Sequence, residues 1–567
     1  MDRVLDHRIS RRDFLAAGAA GGAAVLLGGA GSVVTAKSPA PLLDEGADWF
    51  DASIRELGRL MRKRELGSED LTSAYLARIE MLNPTLHAVI ETNPDALRIA
   101  RRRDRERRHG QVRGPLHGIP ILLKDNIATD DEMETTAGSL ALVGSRVPED
   151  APVAARLRAA GAVILGKANL SEWANFRGFI PANFPAGLYL NGWSARGQFT
   201  RDPYVLDWDP CGSSSGSGVG PAANLCAGAI GTETDGSVVC PAGNNGVVGL
   251  KPTLGLVSQS GIIPIAHSQD TAGPMARSVT DVALLLNAMK SPFGRVKGHE
   301  LPHDYTRFLR RGKLKGARIG VDRRLFDAKY FADPDLNVVT EQALKVMASL
   351  GATIVDPIDG PDPFAFGDAE LTVLLYEFKV DVAKYLGRLH HTSMRTLADL
   401  IAFNKEHCTE EMKYFGQELF ELAEATTGLS DPVYRNARKL CLDLTRRHGL
   451  DQVMRESHLD AIVAPTYSYA TAPAAVAGYP SISVPFSLTT AGRPAGVWMY
   501  AGFLQEPKLL ALAYALEQVR PPRAAPHFAG TVPPEPANAG ICASLGAAAP
   551  SARGSAPATR SVRPRMG

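Results

Sequence analysis

A chain of 567 residues, 45% hydrophobic and 22% charged, has the make-up of an ordinary globular protein and length enough for one large domain or several smaller ones. Its net charge of +2 creates no global field toward nucleic acid or acidic lipid. Six cysteines in so long a chain are not the disulfide framework of a small secreted domain.

The N-terminus carries Ser10-Arg11-Arg12-Asp13-Phe14-Leu15, followed through Val34 by mostly Ala, Gly, Val and Leu. It resembles a bacterial twin-arginine export signal, with the small residues Val34-Thr35-Ala36 at the end for cleavage. The stretch is too rich in glycine for a good membrane-spanning helix, so no stable membrane insertion is expected once the signal is removed. That route carries folded proteins, which fits cysteines that do not depend on pairing. The expected organisation is a signal over 1–36, a linker over 37–47, a catalytic domain over 48–528 and a disordered Ala/Pro-rich tail over 529–567, whose composition cannot bury enough apolar surface to order itself.

Helical spacing of Leu57, Leu60, Met61, Leu71, Tyr75 and Ile79 predicts a helical stretch from Ala52 to Leu82. The basic run Arg98–Arg108 has Asp104 and Glu106 interleaved and few aromatics, so it reads as a solvated helix face rather than a nucleic-acid platform. Short apolar runs at Ile119–Leu123, Val163–Leu165, Arg318–Val321, Thr353–Val355 and Ala461–Val463 alternate with helical patterns. This predicts an α/β domain with a largely buried sheet.

Two segments carry chemistry. In Gly114-Pro115-Leu116-His117-Gly118-Ile119-Pro120-Ile121-Leu122-Leu123-Lys124-Asp125-Asn126, Lys124 stands where a strand gives way to a loop. Burial there lowers its pKa, because desolvation disfavours the ammonium, and a neutral lysine is a competent base. In Asp209–Gly249, four serines (213, 214, 215 and 217) crowd among glycines, and a lone serine ends Gly231-Thr232-Glu233-Thr234-Asp235-Gly236-Ser237. Flanking apolar segments argue against a flexible linker, and the missing Gly-Lys-Ser/Thr ending argues against a phosphate loop.

Together these segments resemble the amidase signature family. The resemblance extends through Gly249-Leu250-Lys251-Pro252-Thr253, Gln269-Asp270-Thr271-Ala272-Gly273-Pro274-Met275, Ala464-Pro465-Thr466 and Ala477-Gly478-Tyr479-Pro480-Ser481, covering roughly residues 48–528. Within the family, Cys211–Gly216, Leu374–Lys379 and Phe415–Leu419 are most similar to bacterial peptide amidases. The resemblance implies a single large domain with a central mixed, mostly parallel β-sheet covered by helices. It implies a Ser-Ser-Lys triad of Lys124, Ser213 (on a cis peptide bond) and the nucleophile Ser237, with the backbone N–H groups of Thr234, Asp235, Gly236 and Ser237 as oxyanion hole. Neither cofactor nor metal is implied. The implied substrates are small-molecule or peptide amides, cut at a carbon–nitrogen bond through an acyl-enzyme. Departures from the family's usual pattern are Cys211 and Asp235, where Gly is common, and Val239, where Arg is common.

Other features are set aside on physical grounds. His299-Glu300-Leu301-Pro302-His303 matches a zinc-protease spelling, but Gly298 and Pro302 make it a loop, so the two imidazoles do not share a helix face. His390-His391 reads as a surface pair. Cys211 and Cys240 lie close to the serines without a patterned histidine and read as packing residues. Residues 178–192, rich in Phe, Pro, Leu and Tyr, form an apolar insertion that either walls the acyl pocket or packs on the surface. The alternative reading is the amidase subunit of a tRNA-dependent amidotransferase, against which the export signal and the lack of a basic surface both argue. A non-catalytic protein on the same fold would have little reason to keep Lys124, Ser213 and Ser237 together.

Overall fold

The computed structural model describes residues 49–179, 191–538 and 540–544. The export signal, the linker, residues 180–190 of the apolar insertion and the tail beyond 544 lie outside the described residues.

Among the described residues eleven strands form one sheet: β1 (Val89–Thr92), β2 (Pro120–Lys124), β3 (Val163–Ala168), β6 (Gly228–Glu233), β7 (Val248–Lys251), β8 (Thr271–Ala276), β11 (Arg318–Val321), β12 (Thr353–Val355), β13 (Ala461–Pro465), β14 (Ser481–Leu488) and β15 (Pro494–Tyr500). Two hairpins of two-residue strands stand apart, β4 (Trp193–Ser194) with β5 (Gln198–Phe199) and β9 (Arg295–Val296) with β10 (His299–Glu300). Every apolar run expected to be a strand is one.

Across the sheet the order is β1-β3-β2-β6-β8-β7-β14-β15-β13-β11-β12. The sheet is mixed, as expected, but not mostly parallel. Four pairings are parallel (β2 with β3 and β6, β11 with β12 and β13) and six are antiparallel. The reason the expectation missed is physical: β2, β3, β6, β8, β13 and β15 are buried at every residue. A strand covered on both faces is continuously apolar whichever way its neighbour runs.

Two features of this topology build the site. Parallel pairing of β2 with β6, in register at Leu123 and Ile230, sets the C-terminal ends of both strands side by side. Antiparallel pairing of β6 with β8 sets Glu233 opposite Thr271, so the residues just before β8 meet the residues just after β6. The crevice beyond the carboxyl ends of sheet strands is where α/β folds place their chemistry.

The first helical stretch is two helices, Ile54–Lys63 and Ser68–Leu86. Arg64 closes the first in a left-handed conformation, φ 62°, with its N–H bonded to the carbonyls of Leu60 and Met61. The basic run forms the helix Ala96–Arg108; its Arg103 is buried against Glu106 while most of its other charges face solvent. A 24-residue helix, Pro363–Leu386, starts from the Asp362 cap with proline in its first turn. Among the described residues no helix is long and apolar enough to cross a membrane.

The expected disordered tail is corrected over its first part. Phe528 and Ala529 bond through their N–H groups to the carbonyls of Pro203 and Tyr204, and Glu535 accepts from Lys413 Nζ at 2.9 Å and Tyr414 Oη at 3.1 Å. Cys542 is disulfide-bonded to Cys408. A segment too polar to form its own core is ordered here by the body it lies on, a contribution that composition does not register.

Candidate active site

The site is assembled from the ends of β2, β6 and β8 and from the loop that enters the helix Ser215–Ala222. Lys124, the last residue of β2, is fully buried. Its Nζ donates to Ser213 Oγ at 2.7 Å, Ser214 Oγ at 2.9 Å and the Thr232 carbonyl at 3.2 Å. Burial holds its ammonium well below the usual lysine range, against the opposing pull of the Asp270 and Glu233 carboxylates. The two residues that follow Lys124 pin its loop. Asp125 Oδ2 accepts the N–H groups of Thr136 and Gly138, and Asn126 Nδ2 reaches Thr232 Oγ1 on β6 at 2.9 Å.

The Gly212–Ser213 peptide bond is cis, as the resemblance implied. Ser213 is wholly buried, and its carbonyl accepts from Ser171 N–H at 3.0 Å. Ser237 is 8% exposed, so of these two serines it is the one in reach of solvent. Its carbonyl accepts the Ser214 N–H at 3.2 Å, which draws the two serine segments together.

Around Ser237 the chain turns at Gly236, φ 82°, where glycine carries no steric penalty and a Cβ would meet Thr471 Oγ1 at 3.3 Å. Glu233 Oε2 accepts the N–H groups of Val238 and Val239 at 2.8 and 3.0 Å, closing the turn that carries Ser237. Thr234 Oγ1 donates to Asp270 Oδ1 at 2.7 Å, while Asp270 Oδ2 takes the N–H groups of Ile265 and Ala266. Burial pushes the Asp270 carboxyl up to about 7.

Sequence reasoning missed Ser214, Glu233 and Asp270. Ser214 Oγ accepts from Lys124 and from Thr232 N–H and donates to the Thr232 carbonyl, so it fixes the lysine to β6. All three lay within quoted motifs. The roles of Ser214 and Asp270 depend on which strand ends meet, which spacing alone does not supply, whereas Glu233 closes a local turn.

The reading of Cys211 and Cys240 as packing residues is corrected: they form a disulfide, with Cα atoms 5.8 Å apart, that ties the loop before Ser213 to the helix after Ser237. Their partnership follows from the contact between these two segments, 29 residues apart in sequence. Cys211 sits at φ 53°, a left-handed conformation that costs a residue with a Cβ about 1 kcal/mol. Cys226 and Cys441 are buried and belong to neither disulfide.

The zinc-protease spelling forms no site, since His299 lies on the exposed hairpin strand β10 and His303 in the exposed loop beyond it. His390 and His391 are both exposed. Ligand-type atoms of His267, Glu377 and Asp381 lie within 4.8 Å of one another. Hydrogen bonds close this group: Asp381 Oδ2 takes the backbone N–H and Nδ1 of His267 at 3.0 and 2.7 Å, and Glu377 Oε2 takes Ser268 N–H at 2.9 Å. At the insertion's described ends, Phe179 N–H bonds Glu418 Oε2 and Asn191 Nδ2 bonds Asp209 Oδ2.

The Amidase family's sequence profile matches residues 70–471. The chain belongs to the amidase family. A probable amidase of Arabidopsis thaliana is 41% identical over 84% of this chain and 92% of its own length. The crystal structure of a peptide amidase from Stenotrophomonas maltophilia superposes with a TM-score of 0.78 at 49% identity, covering 85% of this chain and 99% of that one. A glutamyl-tRNA(Gln) amidotransferase component of Thermosynechococcus vestitus is 32% identical over 82% of this chain and 98% of its own length. Residues 8–28 match the signal sequence of the twin-arginine translocation pathway, so this amidase is addressed to twin-arginine export. It is a hydrolase of carbon–nitrogen bonds in amides.

Proposed function

We propose that this amidase works outside the cytoplasm and hydrolyses primary carboxamides, including C-terminal peptide amides, to acid and ammonia through Ser237, Ser213 and Lys124. The observation that carries the reading is the buried Lys124 Nζ, 2.7 Å from Ser213 Oγ and held below its ordinary pKa. Neutral Lys124 takes a proton from Ser213 as Ser213 takes one from Ser237, whose Oγ attacks the amide carbon. The N–H groups of Thr234, Asp235, Gly236 and Ser237 face the developing oxyanion. Reversal of the relay protonates the leaving nitrogen, ammonia departs, and water, deprotonated by the same relay, cleaves the ester. The substrate class is supported by 49% identity to a peptide amidase over nearly all of that chain. The transamidation reading has weaker support, from more distant relatives and against the export signal.

A panel of peptide amides, free peptides, benzamide, short aliphatic amides and p-nitroanilides, with acid and ammonia both measured, tests the substrate. Equal release of acid and ammonia from peptide amides is expected. Cleavage of internal peptide bonds without ammonia overturns the reading, and activity confined to small amides discards the peptide part of it.

The pH dependence has a fixed sign. Only the neutral amine accepts a proton, so kcat/KM rises with pH as Lys124 deprotonates in the free enzyme and levels off above that point. The limb lies below the ordinary lysine value because burial lowers this pKa. Activity greatest at acid pH would exclude a lysine base.

A further inference from the structure

We propose that the Cys211–Cys240 disulfide is a positioning element of the serine relay, and that its closure after export brings the enzyme to full turnover. This rests on the assignment of Ser213 and Ser237 above. Cys211 lies two residues before Ser213, and Cys240 three residues after Ser237. The bridge therefore brackets both relay serines at short range. Among the non-covalent ties between these segments, Ser214 Oγ and Ser217 Oγ bond Thr232 and Ile230 of β6 rather than the Ser237 turn. Another is the Ser214 N–H to Ser237 carbonyl bond at 3.2 Å. Two others, from Asn244 and Asn245 to the carbonyls of Asp209 and Pro210 at 2.8 Å, grip the chain only upstream of Cys211. A proton relay works within a narrow distance window, and displacement of a reacting group by about 1 Å can cost on the order of 100-fold in rate. A covalent link nearest the serines is the element suited to hold that window.

Two further observations favour this role over a general staple. Cys211 occupies a left-handed backbone, φ 53°, that glycine would adopt without penalty, so its side chain is kept for what it bonds. The other bridge, Cys408–Cys542, secures the C-terminal segment and provides an internal control for generic stabilisation.

The redox step balances simply. Two thiols lose two protons and two electrons, one S–S bond forms, and the electrons pass to an oxidised dithiol carrier or to oxidised glutathione. The cytoplasm keeps thiols reduced, whereas compartments beyond it favour pairing. A signal for a route that carries folded chains delivers the two cysteines already apposed, with Cα atoms 5.8 Å apart, within the range a disulfide spans.

The test uses the full chain in four forms: wild type, Cys211→Gly, Cys240→Ala and the control Cys542→Ser. Alkylation and mass measurement report which bridge is closed. The rate of fluorophosphonate labelling at Ser237, kcat, KM and Tm are then read for each. Opening the 211–240 bridge is expected to lower the labelling rate and kcat by about tenfold or more while KM stays within about twofold, as for loss of orientation rather than binding. Cys542→Ser is expected to lower Tm and leave kcat within about twofold. Wild type purified in the dithiol form is expected to match Cys240→Ala in labelling rate and kcat and to recover both with oxidised glutathione. That comparison stands even where a variant fails to fold. Equal labelling and turnover of the dithiol and disulfide forms overturns the proposal. A wild type that never labels at Ser237 overturns the relay assignment itself, and the proposal with it.

Discussion

Ser237→Ala is expected to abolish turnover, with kcat down by at least ~10^4-fold, the scale of loss when a relay loses its nucleophile. Ser237 lies in a turn held by Glu233 through the N–H groups of Val238 and Val239, and by Gly236 at φ 82°. None of these uses the Ser237 hydroxyl, so alanine leaves the turn standing and Tm near that of the wild type. Fluorophosphonate adds its mass to the wild type and leaves the alanine variant unlabelled. Label retained on the variant at another serine would move the nucleophile elsewhere in the Gly/Ser segment.

Lys124→Ala and Lys124→Met are expected to lower kcat by roughly 10^3-fold, within the range a positioned base contributes. The rising limb of the pH profile should vanish with the amine. The methionine variant carries a second signature. Lys124 is fully buried and its folded pKa lies below the ordinary 10.5, so the native state binds fewer protons than the unfolded chain. Wild-type stability is therefore penalised fully below the folded pKa, and the penalty fades as pH rises toward the unfolded value. An uncharged side chain of similar length escapes this but forfeits the bonds to Ser213, Ser214 and Thr232, so the Tm of Lys124→Met relative to wild type should fall as pH rises from neutrality into alkali. A Tm difference that does not change with pH would mean that the folded pKa of Lys124 is not lowered.

What the sequence disclosed depended on how local the cause was. The strand end at Lys124 was legible because the apolar run Ile121-Leu122-Leu123 precedes it, whereas the choice of Ser213 and Ser237 among the serines rested on the family resemblance. The limits of β11 and β12 were legible because a short apolar run between polar residues fixes both ends. Strand direction was not, since β6 is equally apolar whether β2 runs parallel to it or β8 antiparallel. The Asp270 bond to Thr234 was opaque for the same reason, since it joins strand ends that meet only after the sheet forms; Glu233 closes a local turn that the sequence reading did not single out. The break at Arg64 turned on one residue's left-handed φ in an otherwise helical pattern. The two disulfides span 29 and 134 residues, and no local pattern encodes a partner at that distance.

The sheet topology also bears on how such an enzyme can diverge. Lys124, Ser213, Ser237 and Asp270 all fall between residues 124 and 270, in the half of the sheet from β2 to β8. Later parts of the chain pack against this region: Thr471 faces Gly236, Gln269 Nε2 meets Glu370 of the long helix at 2.9 Å, and Trp498 Nε1 donates to the Val239 carbonyl at 3.2 Å. The proposed relay groups and part of their surroundings thus come from separate stretches of polypeptide, which can vary at different rates.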